Sequence, residues 1–306
     1  MSSSDAFATR PPFFRRPSFW LAFVLISLGG LSVAWSWDTR ALLWFKESRT
    51  TEEAKAAAVW LPAFHAEIDG KSMPGLEKDE ASDLSYNPAT NTLFSVMGKN
   101  AFLVELNLNG DVLRKITLKG WSNPEGVAVL ENGIIAIVDE RVHDVVMVRL
   151  TPETRELNHA DFPHFDLGPS KDQNKAFEGI AWDPHHQQLI FGEERPPRLF
   201  TWKSDGSDAL KGDKQLLPNN ALIMRNLSAL TIDPRTGHML ALSAESHFLL
   251  ELDEQGKGVS FITLLRGFNG LAHTIPRAEG VAFDKDGNLY MVSEPNLFYK
   301  FVRSTK

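Results

Sequence analysis

Five copies of one short apolar pattern divide the last three quarters of this 306-residue chain into near-equal parts. They read Ser82-Asp83-Leu84-Ser85-Tyr86, Glu125-Gly126-Val127-Ala128-Val129, Glu178-Gly179-Ile180-Ala181-Trp182, Ser228-Ala229-Leu230-Thr231-Ile232 and Glu279-Gly280-Val281-Ala282-Phe283. Successive copies start 43, 53, 50 and 51 residues apart. Turn residues follow each copy, as in Glu131-Asn132-Gly133 and Asp284-Lys285-Asp286-Gly287-Asn288, and then a second apolar run at 93–96, 134–138, 189–191, 239–242 and 289–292. Third runs lie at 103–108, 145–150, 199–202, 248–252 and 298–302. Strand, turn, strand, strand on a period of about 40 to 50 residues predicts an all-β fold, the β-propeller.

Outer strands are legible at 112–118, 215–217 and 259–264. The fifth blade ends at Lys306 without one, while a lone strand at 64–68 precedes the first blade. Pairing the two closes the ring and removes an open sheet edge. That makes five blades. A sixth has room only in the gap 150–177, whose Pro152, Pro163 and Pro169 read better as a loop insertion.

Residues 19–37 form an uncharged stretch, FWLAFVLISLGGLSVAWSW. About 20 apolar residues span a bilayer as a helix, and Trp20, Trp35 and Trp37 suit its interfaces. Arg10, Arg15 and Arg16 precede it, which places the N-terminus in the cytoplasm; Arg40, Lys46 and Arg49 follow and weaken that bias. The expected organisation is a basic tail (1–18), a transmembrane anchor (19–37), a stalk (38–62) with helix formers at 52–58, and the propeller (63–306). A cleaved signal peptide is the rival, since Ser32-Val33-Ala34 offers small residues at a cleavage site.

Charge divides at the same place. Six of 32 Lys/Arg and three of 39 Asp/Glu lie in the first 50 residues, leaving 26 basic against 36 acidic beyond. Such an acidic domain disfavours nucleic acid and favours cations or basic ligands. No cysteine is present, so disulfides, thiolate nucleophiles and cysteine metal sites are excluded.

The residue that starts a blade's first strand lies beside the residue that ends its antiparallel second strand. Folding back at each turn sets Glu125 opposite Asp139 and Glu140, Glu178 opposite Glu193 and Glu194, and Glu279 opposite Glu294. Blade four brings Glu245 opposite Ser228, and blade one offers Asp83 with Glu80 upstream. Each blade thus places carboxylate at one mouth of the channel. Clustered carboxylates repel unless neutralised. Ca²⁺, which takes six to eight flexible oxygen ligands, is the cation expected there, with Glu125, Asp139, Glu178, Glu193, Glu279, Glu294, Asp83 and Glu245 as candidate ligands and Ser228, Asn123 and Asn226 as neutral oxygens. Arg141, Arg195, Arg198, Arg225 and Arg277 compete for the same carboxylates. The plainer alternative is that each Glu-Gly caps backbone groups where strands converge, the glycine allowing close approach to the next blade.

The nine histidines show no zinc spacing. His185 and His186 fall in a turn, and His143, His247 and His273 near the mouth. No nucleophile elbow or phosphate loop appears. Trp121, Trp182 and Trp202 suit inter-blade packing.

The N-terminal apolar stretch, NPEGVAV at 123–129, AFEGIAWDPHHQQLIFGEERPPRLF at 176–200 and AEGVAFDKDGNLYMVSEPNLFYKF at 278–301 resemble the SdiA-regulated, YjiK/CarP-like bacterial propellers. The resemblance covers roughly 60–306. It implies a Gram-negative envelope protein with a phytase-like propeller, linked in some members to calcium homeostasis, and it carries no assigned catalytic residues. Ser228-Ala229 in place of Glu-Gly breaks any fully symmetric acidic ring. The expected protein is a single-pass inner-membrane protein whose periplasmic propeller binds Ca²⁺, or a ligand through Ca²⁺, in calcium handling or envelope signalling. A metal-dependent phytase-like or lactonase-like hydrolase and a protein-interaction scaffold are the alternatives.

Overall fold

The computed structural model describes residues 17–168, 177–217 and 222–304. The basic tail with Arg10, Arg15 and Arg16, and the stretch of the insertion at 169–176, lie outside them. Two compact units result, one up to Leu42 and one from Leu43 to the C-terminus.

The first unit carries helix α1 (Pro17–Ala34) and most of α2 (Trp37–Glu47). The apolar stretch is therefore not one continuous helix. It breaks at Trp35 and Ser36, where Ser36 takes a left-handed backbone (φ 53°), and α1 and α2 meet at a bend of 66°. No single described helix is long and apolar enough to cross a membrane, but the bent pair reaches that length and composition.

In the second unit, α3 (Glu52–Ala57) is capped by the Thr51 hydroxyl, which accepts from the Ala54 N–H, and precedes β1 (Phe64–Ser72). The blades follow in chain order. Blade one is β2 (Ala81–Asn87), β3 (Thr92–Met97), β4 (Phe102–Leu106) and β5 (Val112–Lys119). Blade two has β6 (Pro124–Val129), β7 (Ile134–Asp139) and β8 (Asp144–Arg149), followed in sequence by two short strands, β9 (Glu156–Asn158) and β10 (His164–Asp166). Blade three is β11 (Phe177–Asp183), β12 (Gln188–Glu193), β13 (Arg198–Ser204) and β14 (Leu210–Leu216). Blade four is β15 (Ala229–Ile232), β16 (Met239–Ser243), β17 (Phe248–Leu252) and β18 (Gly258–Thr263). Blade five is β19 (Ala278–Phe283), β20 (Leu289–Ser293) and β21 (Leu297–Arg303), completed by β1.

The structure is thus a five-bladed propeller closed by its own ends. β1 runs antiparallel to β21, from Phe64 opposite Arg303 to Ser72 opposite Leu297. The gap 150–177 is more than a loop insertion: β10 pairs with β8 as the outer strand of blade two, and β9 adds in parallel to β5 as a fifth strand of blade one. Alternation of apolar residues along the strands builds five buried clusters, one at each inter-blade interface, so every blade is held by two neighbours.

The glycine of each Glu-Gly pair lies where two inner strands touch. A Cβ on Gly126 would stand 2.8 Å from the carbonyl oxygen of Glu178, one on Gly179 3.0 Å from the amide of Leu230, and one on Gly280 2.7 Å from the carbonyl carbon of Asp83. Any side chain here would separate the inner strands around the channel.

Candidate functional site

The inner strands of four blades carry a β-bulge at the same point. The register slips between Ala81 and Asp83, Pro124 and Gly126, Phe177 and Gly179, and Ala278 and Gly280. The bulged residues are Ser82, Glu125, Glu178 and Glu279. In blade four Ser228 sits just before β15 and its N–H donates to Leu242, which is also opposite Ala229. A bulge re-aims the extra side chain. A second set of equivalent positions lies one residue past the second strands: Gly98, Glu140, Glu194, Ala244 and Glu294. Blades two, three and five therefore contribute a Glu–Glu pair. Blades one and four contribute a serine with a small residue.

The serines serve the glutamates of the following blade. The Ser82 hydroxyl and the Asn123 amide hydrogen-bond Glu125, and the Ser228 hydroxyl hydrogen-bonds Glu279. Ser228 is held in turn by the Ala244 N–H, which donates to its Oγ at 2.9 Å. Asn123 Nδ2 also donates to Glu140 at 2.9 Å, and the equivalent Asn226 donates to Glu194 at 3.5 Å. Glu178 follows a glutamate blade, not a serine blade. Among the described residues its carboxylate makes no hydrogen bond or close ion pair, and burial followed by the charges of Glu279, Glu194, Glu125 and Glu140 holds it well above the usual carboxylate range. Burial likewise pushes Glu125 up to about 8, helped by Glu140 and Glu279. Glu279 is also pushed up to about 8, by burial above all, although Arg277 opposes it.

A cavity of about 280 Å³ opens here. Glu178, Glu194 and Glu279 line it, as do Arg195, Arg277 and Asn226. Arg195 Nε pairs with Glu194 at 3.0 Å and its Nη2 with Glu245. Arg277 pairs with Glu279 at 3.4 Å and with Glu294. His247 also lines the cavity, the one histidine of the three expected near the mouth that does so.

Of the eight candidate ligands, Glu125, Glu178 and Glu279 come together at the mouth, with Glu245 and Glu294 tied to its two arginines. Three are placed elsewhere. Asp83 is fully buried, deeper than the bulge, and accepts from the backbone N–H groups of Leu84 (2.8 Å) and Val127 (2.9 Å). Asp139 is fully buried too and caps its turn, accepting from the N–H groups of Ser122, Asn123, Arg141 and Val142. Glu193 is paired with Arg198 at 2.5 Å. Asp139 and Glu193 are the last residues of their strands and turn their side chains into the blade. The next residue, Glu140 or Glu194, is the one that meets the mouth. Fold-back counting sets Glu125 opposite Asp139 and Glu140; with the bulge, Asp139 is opposite Pro124.

The oxygen-only donor set has the chemistry of a hard-cation site. As they stand, however, no three carboxylate or imidazole groups among the described residues are close enough together to hold an ion.

Comparison with known proteins bears first on the fold. The structure is similar to that of a calcium-binding protein, regucalcin, from Agrobacterium tumefaciens, at 12% identity and a TM-score of 0.50, covering 78% of this chain and 93% of that one. It is also similar to a gluconolactonase from Xanthomonas campestris at 15% identity and a TM-score of 0.49, covering 84% and 94%. At 12% identity the likeness to the first of these shows a shared architecture alone. The sequence pattern of the SdiA-regulated family, by contrast, matches residues 56–302, nearly the whole propeller and its approach, and the chain belongs to that family.

Proposed function

We propose that the acidic mouth is a Ca²⁺ site on a propeller anchored to the bacterial inner membrane and exposed to the periplasm, acting in calcium handling or envelope signalling. The observation that carries this is Glu178, a carboxylate sunk among four others and, among the described residues, left without a hydrogen-bond donor where its counterparts Glu125 and Glu279 each have a serine. Such a group favours a cation over further desolvated repulsion. Glu178, Glu125 and Glu279 would supply charge, and Asn123, Ser82 and Ser228 neutral oxygens. Ca²⁺ tolerates irregular coordination, so the glutamates close on it by side-chain rotation, whereas Mg²⁺ demands near-octahedral geometry. The fold shared with a calcium-binding propeller is compatible with this reading and adds no residue to it.

The test is calorimetry and thermal melting of the full chain in detergent. Ca²⁺ should raise the melting temperature more than Mg²⁺, with stabilisation of about 2.7 kcal/mol at a hundredfold excess over its dissociation constant. Glu178→Gln should weaken the effect and His186→Gln, in a hairpin turn, should not. No Ca²⁺ binding at millimolar concentration, or equal loss from both substitutions, overturns the reading.

A second reading, metal-dependent hydrolysis of an anionic ester, draws on Arg195 and Arg277 sharing the cavity with Glu178 and Glu279. It requires Ca²⁺-dependent turnover of a chromogenic phosphomonoester or lactone that Arg277→Gln abolishes while Ca²⁺ affinity survives.

A further inference from the structure

Helix α2 has two apolar faces, and the blades cover the one that carries Leu43. Leu43 is 5% exposed and packs with Ala181, Ile190, Leu199, Leu227 and Leu230 in the core between blades three and four. One turn on, Glu47 accepts a hydrogen bond at 3.2 Å from the backbone N–H of Phe261, which lies in β18 at the outer edge of blade four. Desolvation in that seat pushes the Glu47 carboxyl up to about 7. The C-terminal end of α2 is therefore fastened to the rim of the propeller.

The neighbouring residues turn away from it. Trp44 is 63% exposed and Phe45 is 48% exposed. At 100° per residue, Trp37, Ala41, Trp44 and Phe45 form one stripe, opposite the stripe of Leu43. Two indoles and a phenyl ring on one side of a short helix form an apolar patch that a soluble surface rarely leaves bare. Its borders are cationic. Lys46 is exposed beside it, and the Arg49 guanidinium lies 3.9 Å from the centre of the Phe45 ring. In sequence, α2 directly follows α1, whose 18 residues carry no charge and whose aliphatic side chains are exposed.

We propose that the Trp44/Phe45 face of α2 lies in the headgroup layer of the bilayer, with Lys46 and Arg49 on lipid phosphates. Aromatic rings favour that layer, and an amphipathic helix with basic flanks binds it by apolar burial plus attraction to anionic lipid. Because the opposite face of the helix is fixed to the outer strand of blade four, the propeller stands edge-on to the membrane. Both ends of its channel then open sideways into solution, and the acidic mouth is not blocked by lipid. This rests on the anchor reading above and requires α1, rather than the bent pair of α1 and α2, to enter the bilayer, with α2 as the surface helix that follows it.

The chain has no cysteine, so single labelling sites are free of background. Spin labels are placed on Phe45→Cys, on Leu25→Cys in α1 and on Leu113→Cys on the outer strand of blade one. The full chain is reconstituted in vesicles of phosphatidylcholine and phosphatidylglycerol, and collision with oxygen and with an aqueous nickel chelate gives depth. The label at 45 should lie about 5–10 Å into the headgroup and acyl boundary, that at 25 in hydrocarbon and that at 113 in water. Lys46→Glu combined with Arg49→Glu, or vesicles without phosphatidylglycerol, should return the label at 45 toward water. A label at 45 in water while that at 25 is in hydrocarbon overturns the inference and leaves the anchor standing. Both in water overturns the anchor as well. A label at 45 as deep as that at 25 makes α2 part of the span, and spin–spin broadening at 45 in water makes its partner a second copy; either result overturns the inference.

Discussion

Gly126 lies against Glu178 so closely that a methyl group on the glycine would stand 2.8 Å from the glutamate's carbonyl oxygen. The contact joins blade two to blade three at the bulge that aims Glu178. Gly126→Ala should force the two inner strands apart and cost about 1–3 kcal/mol, in the range of overpacked cores. Denaturant midpoints measure the cost. Any Ca²⁺-induced rise in melting temperature should shrink with it, because the displaced backbone is that of the central carboxylate. A full Ca²⁺ response in a destabilised variant would separate the glycine from the site.

The buried glutamates make stability depend on pH. Glu125 and Glu279 titrate at about 8 in the folded protein, against an ordinary value of 4.5, so the folded state holds their protons more tightly than the unfolded chain does. Their contribution is complete below pH 4.5 and is lost as pH rises toward 8. Denaturant midpoints should therefore fall between pH 5 and 8 within this window, and Glu125→Gln with Glu279→Gln should flatten the slope. Saturating Ca²⁺ should flatten it as well.

Asp83 acts as a cross-brace. Its Oδ2 accepts from the Val127 N–H of blade two while its Oδ1 accepts from Leu84 of its own strand. Asp83→Ala leaves a buried N–H without a partner and should cost about 1–3 kcal/mol. Asp83→Asn keeps one acceptor and should cost less. Neither should alter cation binding when measured by calorimetry on the folded protein.

Glu251 fastens the approach to the propeller. Fully buried, it accepts from the N–H groups of Val59 (2.8 Å) and Trp60 (3.0 Å) and is bonded to His238 Nδ1 at 2.6 Å and to the Ser260 hydroxyl. Removing one partner of a buried ionic cluster costs about 3–5 kcal/mol. Glu251→Ala should lower the melting temperature and speed hydrogen exchange at Val59 and Trp60 ahead of the blades. Uniform exchange across the domain would show that the segment is held by Leu61 and Phe64 instead.

The blades are legible because their inner strands repeat one demand: small or branched apolar residues facing two neighbours, with glycine where backbones touch. Closure by β1 is legible for the same reason, since blade five lacks a partner that 64–68 can supply. The outer strand of blade two is not. His164, Phe165 and Asp166 form no apolar run, and their pairing with Val146, Val145 and Asp144 depends on where the chain returns in space. The mouth is half legible. That glutamates gather there follows from strand direction, but choosing Glu140 over Asp139, or Glu194 over Glu193, needs the bulge and the exit of the second strand. Asp83 occupies the position of Gly126, not that of Glu125. The break at Trp35 and Ser36 has no proline or glycine to announce it.

The pairing of β1 with β21 has a consequence for how the chain is made. The first strand of the ring is translated more than two hundred residues before its partner, Leu297–Arg303. Only the contact between blades one and five has to wait for β21, and the pairing that locks the circle joins residues more than two hundred positions apart. Such distant pairings form slowly. A chain cut short of β21 would therefore leave β1 without its partner and the circle of blades with one open edge.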